Sequence, residues 1–474
     1  MPEISLRRLP AAAAVGWLAL VPTILGVLLS LLASSSEALP LFARQTGQNC
    51  LACHAGGQYP ELTPYGRKFK LTGYTMGERA KIPLAVMAVA SSARVSSTAG
   101  STDVEADFPK NGQFLFTTAS LLCCGKITDN LGLFAQWTYD RYDHINDDGR
   151  WVGKSHVDQV DLRYADRFID KNSDLIVGVS LNNNPGVTDV WNTHNSAFTP
   201  VPTYVPVSNP PGAAGGPFVD VPAIPINQQL GQASAGVTAY AFWNNLLYAE
   251  IGLYKAAERG FSFLNETHAS SLDPFLRLKG LNPYWRLALN HDWGANSAMI
   301  GLHGMNAETY VDATDTASPT ATFRDVGIDG QYQYILDPHV VTAMFSYTKE
   351  KQRYADELWN PANPNPLGEF ANSSNTLDYW RAKLTYVYQA KYGAALAYTS
   401  VSGSSDAVLY GNPSAVPNSR LWVPEIFWTP IQYIRVGVQY YKWDRYLGAS
   451  SNYDGNGRNA RDNNTLFFYV WAAY

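Results

Sequence analysis

Of the residues in this 474-residue chain that can do chemistry, the four cysteines and eight histidines stand out, and their spacing sorts them. Cys50-Leu51-Ala52-Cys53-His54 is the attachment pattern of a c-type haem. Two thiols a turn apart can add to the two vinyl groups of one porphyrin, and the adjoining His54 then takes the iron as proximal ligand. The alternative for the same residues is a Cys50–Cys53 disulfide beside an idle His54. A zinc site would need two more ligands nearby, and no further Cys or His precedes Tyr74. Cys123 and Cys124 close an alternating run just before Gly125. They read as two small, polarisable packing residues, with a disulfide or reactive role as the other possibility in an oxidising compartment.

The elements that must hold this pattern are set by composition. Hydrophobic residues make up 46% of the chain, aromatic residues 13% and charged residues only 16%. A soluble domain carries about 25% charge, so an ordinary cytosolic enzyme is excluded. The net charge of −5 leaves no basic footprint for nucleic acid. The chain opens with Arg7 and Arg8, an apolar stretch from Ala11 to Ala33, and small residues at Ser36 and Ala38. That is a secretory signal over residues 1–38, cut after Ala38; an uncleaved anchor is the alternative. Haem attachment outside the cytoplasm agrees with export.

From Ile82 onward the hydrophobic period is two. In Leu377 to Ala390, Trp380, Ala382, Leu384, Tyr386 and Tyr388 form an outward set opposed by Arg381, Lys383 and Gln389. In Gln432 to Lys442, Ile434, Val436, Val438 and Tyr440 alternate with Arg435, Gly437 and Gln439; in His156 to Phe168, Val160, Leu162 and Tyr164 alternate with Gln159, Asp161 and Arg163. Such strands face hydrocarbon on one side and a polar interior on the other. The pattern predicts an all-β antiparallel outer-membrane barrel of about sixteen strands over residues 82–474. Short connections such as Asn244-Asn245 and Asp337-Pro338 alternate with long ones such as Pro185 to Gln232 and Gln352 to Thr376, the layout of periplasmic turns and external loops. The last strand ends on Tyr474, in the manner of a bacterial barrel-assembly signal. A secreted β-sandwich would need more charge on its outer faces. Residues 39–81 lie near the ~40-residue size below which a domain needs outside support, so this monohaem segment is expected to plug or line the barrel.

Leu39 to Gly47, the haem pattern, Pro60-Glu-Leu-Thr-Pro-Tyr-Gly-Arg67, Phe69-Lys-Leu-Thr-Gly-Tyr74 and Gly125-Lys-Ile-Thr-Asp-Asn130 resemble the fused monohaem cytochrome c–porins of the bacterial outer membrane. The resemblance is specific in the haem segment and first hairpin and weak in the loops. It implies Cys50 and Cys53 as thioether links to one covalent haem c and His54 as proximal ligand. The best-known members are iron oxidases, which implies electron transfer from extracellular Fe(II) to a periplasmic c-type cytochrome or other acceptor. Ferric iron precipitates near neutral pH, so an organism gains by taking the electron at its surface.

The second iron ligand sets the potential, and Met raises it where His lowers it. Met76, in Gly73-Tyr-Thr-Met-Gly77, is the nearest downstream Met; Met87, Met299, His303 and Met305 are rivals. Arg44, Arg67, Lys68 and Lys70 flank the haem pattern and could pair with propionates or form a solvated turn. The acidic stretch Asp140 to Asp148 could capture Fe²⁺ through oxygen ligands or be plain loop charge. The Pro-rich loop from Pro185 to Gln232 could fold inward and narrow the pore, cap the haem, or cover the outside. Two other functions compete: a porin for small solutes with a structural or regulatory haem, and a haem enzyme acting on peroxide, for which no second motif supplies a distal acid–base group.

Overall fold

The computed structural model describes residues 41–57, 61–97, 111–145, 148, 150–193, 230, 233–265 and 277–474. The signal over residues 1–38 and most of the Pro-rich loop lie outside the described residues.

Alternating side chains build sixteen long strands: β1 (Leu84–Val95), β2 (Phe114–Lys126), β3 (Leu131–Ile145), β4 (Trp151–Ile169), β5 (Asp174–Asn182), β6 (Ser234–Trp243), β7 (Leu247–Ala256), β8 (Asn282–Trp293), β9 (Asn296–Tyr310), β10 (Thr320–Leu336), β11 (His339–Tyr354), β12 (Ser374–Tyr388), β13 (Tyr392–Gly403), β14 (Ser419–Ile431), β15 (Ile434–Arg445) and β16 (Thr465–Ala473). Each pairs antiparallel with its sequence neighbours. The sheet closes where Val89 of β1 faces Trp471 of β16, while Leu84 of β1 faces Cys123 of β2. A two-residue strand, Arg277–Leu278, leans on β9 and adds nothing to the closure. Closure leaves no sheet edge, as a membrane-spanning sheet requires.

The exterior identifies the solvent. On β7, Ile251 is 69% exposed while Glu250, one residue away, is 2% exposed. Trp380, Leu384, Tyr386 and Tyr388 of β12 point outward as expected, and Lys383 points inward. Aliphatic groups outside and charges inside are the pattern of a barrel in lipid, and a closed barrel with this apolar exterior belongs in the bacterial outer membrane. Short turns sit at one end: Asn244 and Asn245 both take left-handed backbone (φ 51° and 56°), the primed turn that matches strand twist.

The interior differs from the polar lumen expected. Toward the long-loop end, Tyr254, Tyr284, Tyr379, Trp443, Phe467 and Tyr469 form one buried cluster. Two of these rings lie across glycines on neighbouring strands. Gly236 faces Tyr254 and Gly437 faces Tyr469, and a Cβ at Gly437 would fall 2.4 Å from the Tyr469 ring.

The described residues of the segment 41–81 occupy the short-turn end. Three helical pieces, α1 (Leu41–Thr46), α2 (Cys50–Cys53) and α3 (Pro64–Leu71), form this plug. The Thr63 hydroxyl accepts from the Gly66 amide and Pro64 takes the first turn, which starts α3 there. The plug meets the wall on many sides. Tyr74 donates to Asp161 of β4 at 2.6 Å, Tyr240 of β6 donates to the Leu71 carbonyl at 2.6 Å, and Lys383 of β12 pairs with Glu61 at 2.9 Å. Arg67 donates to Gln331 and Gln333 of β10 at 3.0 and 2.8 Å.

Candidate functional site

The Cys-x-x-Cys-His turn owes its shape to three local features. The Asn49 side chain accepts from the Ala52 amide and starts α2. The His54 amide donates to the Cys50 carbonyl at 2.8 Å, closing the turn. His54 then forms a bridge with Leu62, and the Thr63 amide donates to the Cys53 carbonyl at 2.9 Å. Gly66 allows α3 to lie directly on this turn, because a Cβ there would fall 2.1 Å from the Cys53 carbonyl oxygen. Cys50 and Cys53 are half-buried free thiols, with no disulfide between them. Burial pushes both thiols up to about 11.

Cys53 and His54 border a cavity of about 780 Å³, part of it open to solvent. Phe42, Leu62 and Phe69 of the plug, Phe134 of β3 and Val187 supply apolar walls. Phe42 packs on Phe69 edge-on at 4.9 Å and stacks on Tyr74 at 5.7 Å. Lys70, Gln159, Asn184 and Asn192 supply polar groups. Cys53 and the His54 imidazole lie at the edge of a largely apolar cavity, with Cys50 one turn away and outside its lining; the donor set suits a haem, which Cys50 and Cys53 would hold and whose iron His54 would ligate.

Of the four flanking cations, only Lys70 lines this cavity. Its ammonium donates to the Asp189 carbonyl at 3.0 Å, and burial beside Arg163 lowers its pKa to about 8. Arg67 is committed to the wall and to Asp292 at 3.7 Å; Lys68 faces Asp174 at 3.8 Å; Arg44 donates to the Leu84 carbonyl. Met76 is half-buried on the turn after α3, where its carbonyl accepts from Gln45 at 2.9 Å, and it does not line the cavity. Met299, His303 and Met305 share the inward face of β9, as their spacing implied, with His303 at 3.2 Å from the Thr348 hydroxyl. Met87 lies on β1, half-buried. Asp140 ends 3.6 Å from His156 of β4, while the side chains of residues 142–147 lie outside the described residues. Among the described residues, no cluster of three or more His, Cys, Asp or Glu is placed to hold a metal ion. Cys124 is buried, its thiol 3.8 Å from the Ala135 carbonyl, a packing contact.

Sequence reasoning passed over Glu61, Arg286, Asp189 and Asp329. Arg286 and Asp329 carried a usable signal, since each is a charge on the inward set of an alternating strand. The first part of the Pro-rich loop turns inward: Asp189, Trp191 and Thr193 are buried in the lumen, and Asn184 to Asn192 form part of the cavity wall.

Fold and site together define an outer-membrane β-barrel of sixteen strands with its short-turn mouth plugged by its own N-terminal segment. Among solved structures it is similar to OmpT of Vibrio cholerae (10% identity, 82% of this chain and 97% of that chain, TM-score 0.40). It is similar also to the DcaP channel of Acinetobacter baumannii (13%, 82% and 96%, 0.42) and an anion-selective porin from Comamonas acidovorans (10%, 82% and 98%, 0.42). No family model and no curated protein matches the chain.

Proposed function

We propose that this barrel is an outer-membrane c-type cytochrome. One haem c is held by Cys50, Cys53 and His54, and the protein serves electron transfer from an extracellular donor, Fe(II) on the family resemblance, to a periplasmic c-type cytochrome or other acceptor. The supporting observation is the position of the Cys-x-x-Cys-His turn, inside the barrel and beside a cavity walled by the plug, β3, β4 and the inward loop. When bound, the haem supplies a one-electron couple within an otherwise insulating layer. Around it the chain contributes apolar rings that exclude water and one cation, Lys70, suited to a propionate. Met76 would be the candidate second iron ligand, although its side chain does not line the cavity.

The test is the absorption spectrum of detergent-purified protein as its pyridine haemochrome, followed by stopped-flow mixing with Fe(II). A covalent haem reduced by Fe(II) supports the proposal; colourless protein with free thiols at positions 50 and 53 ends it. The porin-like barrel favours a second reading, a small-solute porin whose haem is structural or regulatory. Planar-bilayer conductance separates the two, since a wide, steady open state belongs to the second.

A further inference from the structure

We infer that the inward loop after β5 is a built wall of the haem cavity and that Arg286 is the positioning residue that holds it there; this rests on the haem reading above. Asn184, Val187 and Asn192 of the loop line the same cavity as Cys53 and His54. The loop is tied at Asp189. One carboxylate oxygen of Asp189 accepts from the Trp191 amide at 3.0 Å and the other from the Thr193 amide at 2.9 Å, which shapes the turn. Arg286 of β8 then reaches that carboxylate at 3.5 Å, the Thr193 hydroxyl at 3.3 Å and the Asp329 carboxylate of β10, with its guanidinium 5.5 Å from the centre of the Trp191 ring. Arg286 and Asp329 are completely buried and Asp189 almost so. Gln331 of β10 donates to the Trp191 carbonyl at 2.6 Å, and Lys70 of the plug donates to the Asp189 carbonyl.

Two carboxylates, Asp189 and Asp329, thus meet in the lumen around the Arg286 guanidinium, with the Thr193 hydroxyl within hydrogen-bond distance of both and His303 3.7 Å from Asp329. Without the guanidinium the two carboxylates repel in a poorly solvated space, and the strain falls on the loop, which is held by fewer bonds than the strands of the wall. Its departure would admit water to the cavity. Water stabilises the more highly charged oxidised state of a haem, so the wall raises the midpoint potential. The ligand it shields is a planar, largely apolar macrocycle, which fits the cavity's rings and its single lysine.

The experiment uses full-length, haem-loaded protein in detergent. Haem content, heat-modifiable gel mobility, Soret-region circular dichroism and the spectroelectrochemical midpoint potential are compared for wild type, Arg286→Met and Arg286→Lys. The expected result for Arg286→Met is unchanged haem content and barrel mobility, with a lower midpoint potential and a weakened Soret dichroic band. Arg286→Lys should recover part of both, because it keeps the charge but not the fork. A folded, haem-bearing Arg286→Met with wild-type potential and dichroism overturns the inference. If Arg286→Met does not assemble, Gln331→Leu removes only the bond to the Trp191 carbonyl, and the same readouts should move in the same direction; their failure to move is equally fatal. Wild type lacking haem would instead remove the haem reading.

Discussion

Lys383 and Glu61 are 322 positions apart in the chain and 2.9 Å apart in the lumen, with side chains 8% and 2% exposed. Lys383→Met removes the ammonium and leaves the Glu61 carboxylate in the docked plug without its nearest cation. Breaking a buried pair on one side costs about 3–5 kcal/mol. The cost falls on the docked state alone, because a released plug hydrates Glu61. At about 1.4 kcal/mol per decade, the equilibrium for plug release shifts by roughly a hundred- to a few-thousand-fold. Glu61→Gln together with Lys383→Met removes both charges and should recover most of that loss. Single-channel recording in planar bilayers reads the release as openings more frequent than in wild type. The reasoning fails if Lys383→Met stays as closed as wild type, or if the double variant is as leaky as the single one.

Thiol chemistry gives a second test. At pH 8, thiols raised from 9.0 to about 11 should alkylate about a hundredfold more slowly in folded haem-free protein than in urea, and in haem-loaded protein Cys50 and Cys53 should resist alkylation even in urea. Met76→Ala should abolish any methionine–iron charge-transfer band in the oxidised spectrum; a persisting band transfers the role to another residue. Tyr74→Phe removes a hydrogen bond to a buried carboxylate and should weaken plug docking by about 1.5–3 kcal/mol, read as faster proteolysis of the plug. Gly437→Ala drives a methyl group into the Tyr469 ring and should destabilise the barrel by about 1–3 kcal/mol, seen as a lower urea midpoint in the gel-mobility assay.

The strands were legible because a barrel wall in lipid imposes period two on every segment that crosses it. Each of the sixteen runs read from alternation corresponds to an observed strand. Their lengths were less legible: β4 runs from Trp151 to Ile169, well past the ~9–11 residues that cross the hydrocarbon, since alternation weakens where a strand leaves lipid. The filling of the lumen was hidden for a different reason. On β16, outward Leu466 is 47% exposed, yet the opposite set Phe467, Tyr469 and Trp471 is just as apolar and buried. Alternation in position persists there without alternation in polarity. The Cys-x-x-Cys-His turn was legible because its pattern is local. Its supports were not, since Lys383, Arg286 and Asp161 meet the plug and inward loop only through closure of the barrel.

A barrel of sixteen strands is wide enough to leave a water channel, so whatever fills it must answer for its own backbone. The fillers here are the plug, the inward loop and the aromatic cluster, and wall side chains meet the first two group by group. Gln333 takes the Leu62 carbonyl beside the plug's own Arg67, Tyr240 takes the Leu71 carbonyl, and Gln331 takes the Trp191 carbonyl. The inward charges follow the same rule. Arg163 binds Asp161 at 2.7 Å, Arg286 binds Asp329, and Arg435 binds Glu425 at 2.8 Å, each guanidinium almost wholly buried. Charges that select passing solutes must remain hydrated to meet them. Charges paired with one another in the wall, or spent on the plug and loop, are not free to do so. A solute crossing this end of the lumen would have to pass the bonds that hold the plug and the inward loop.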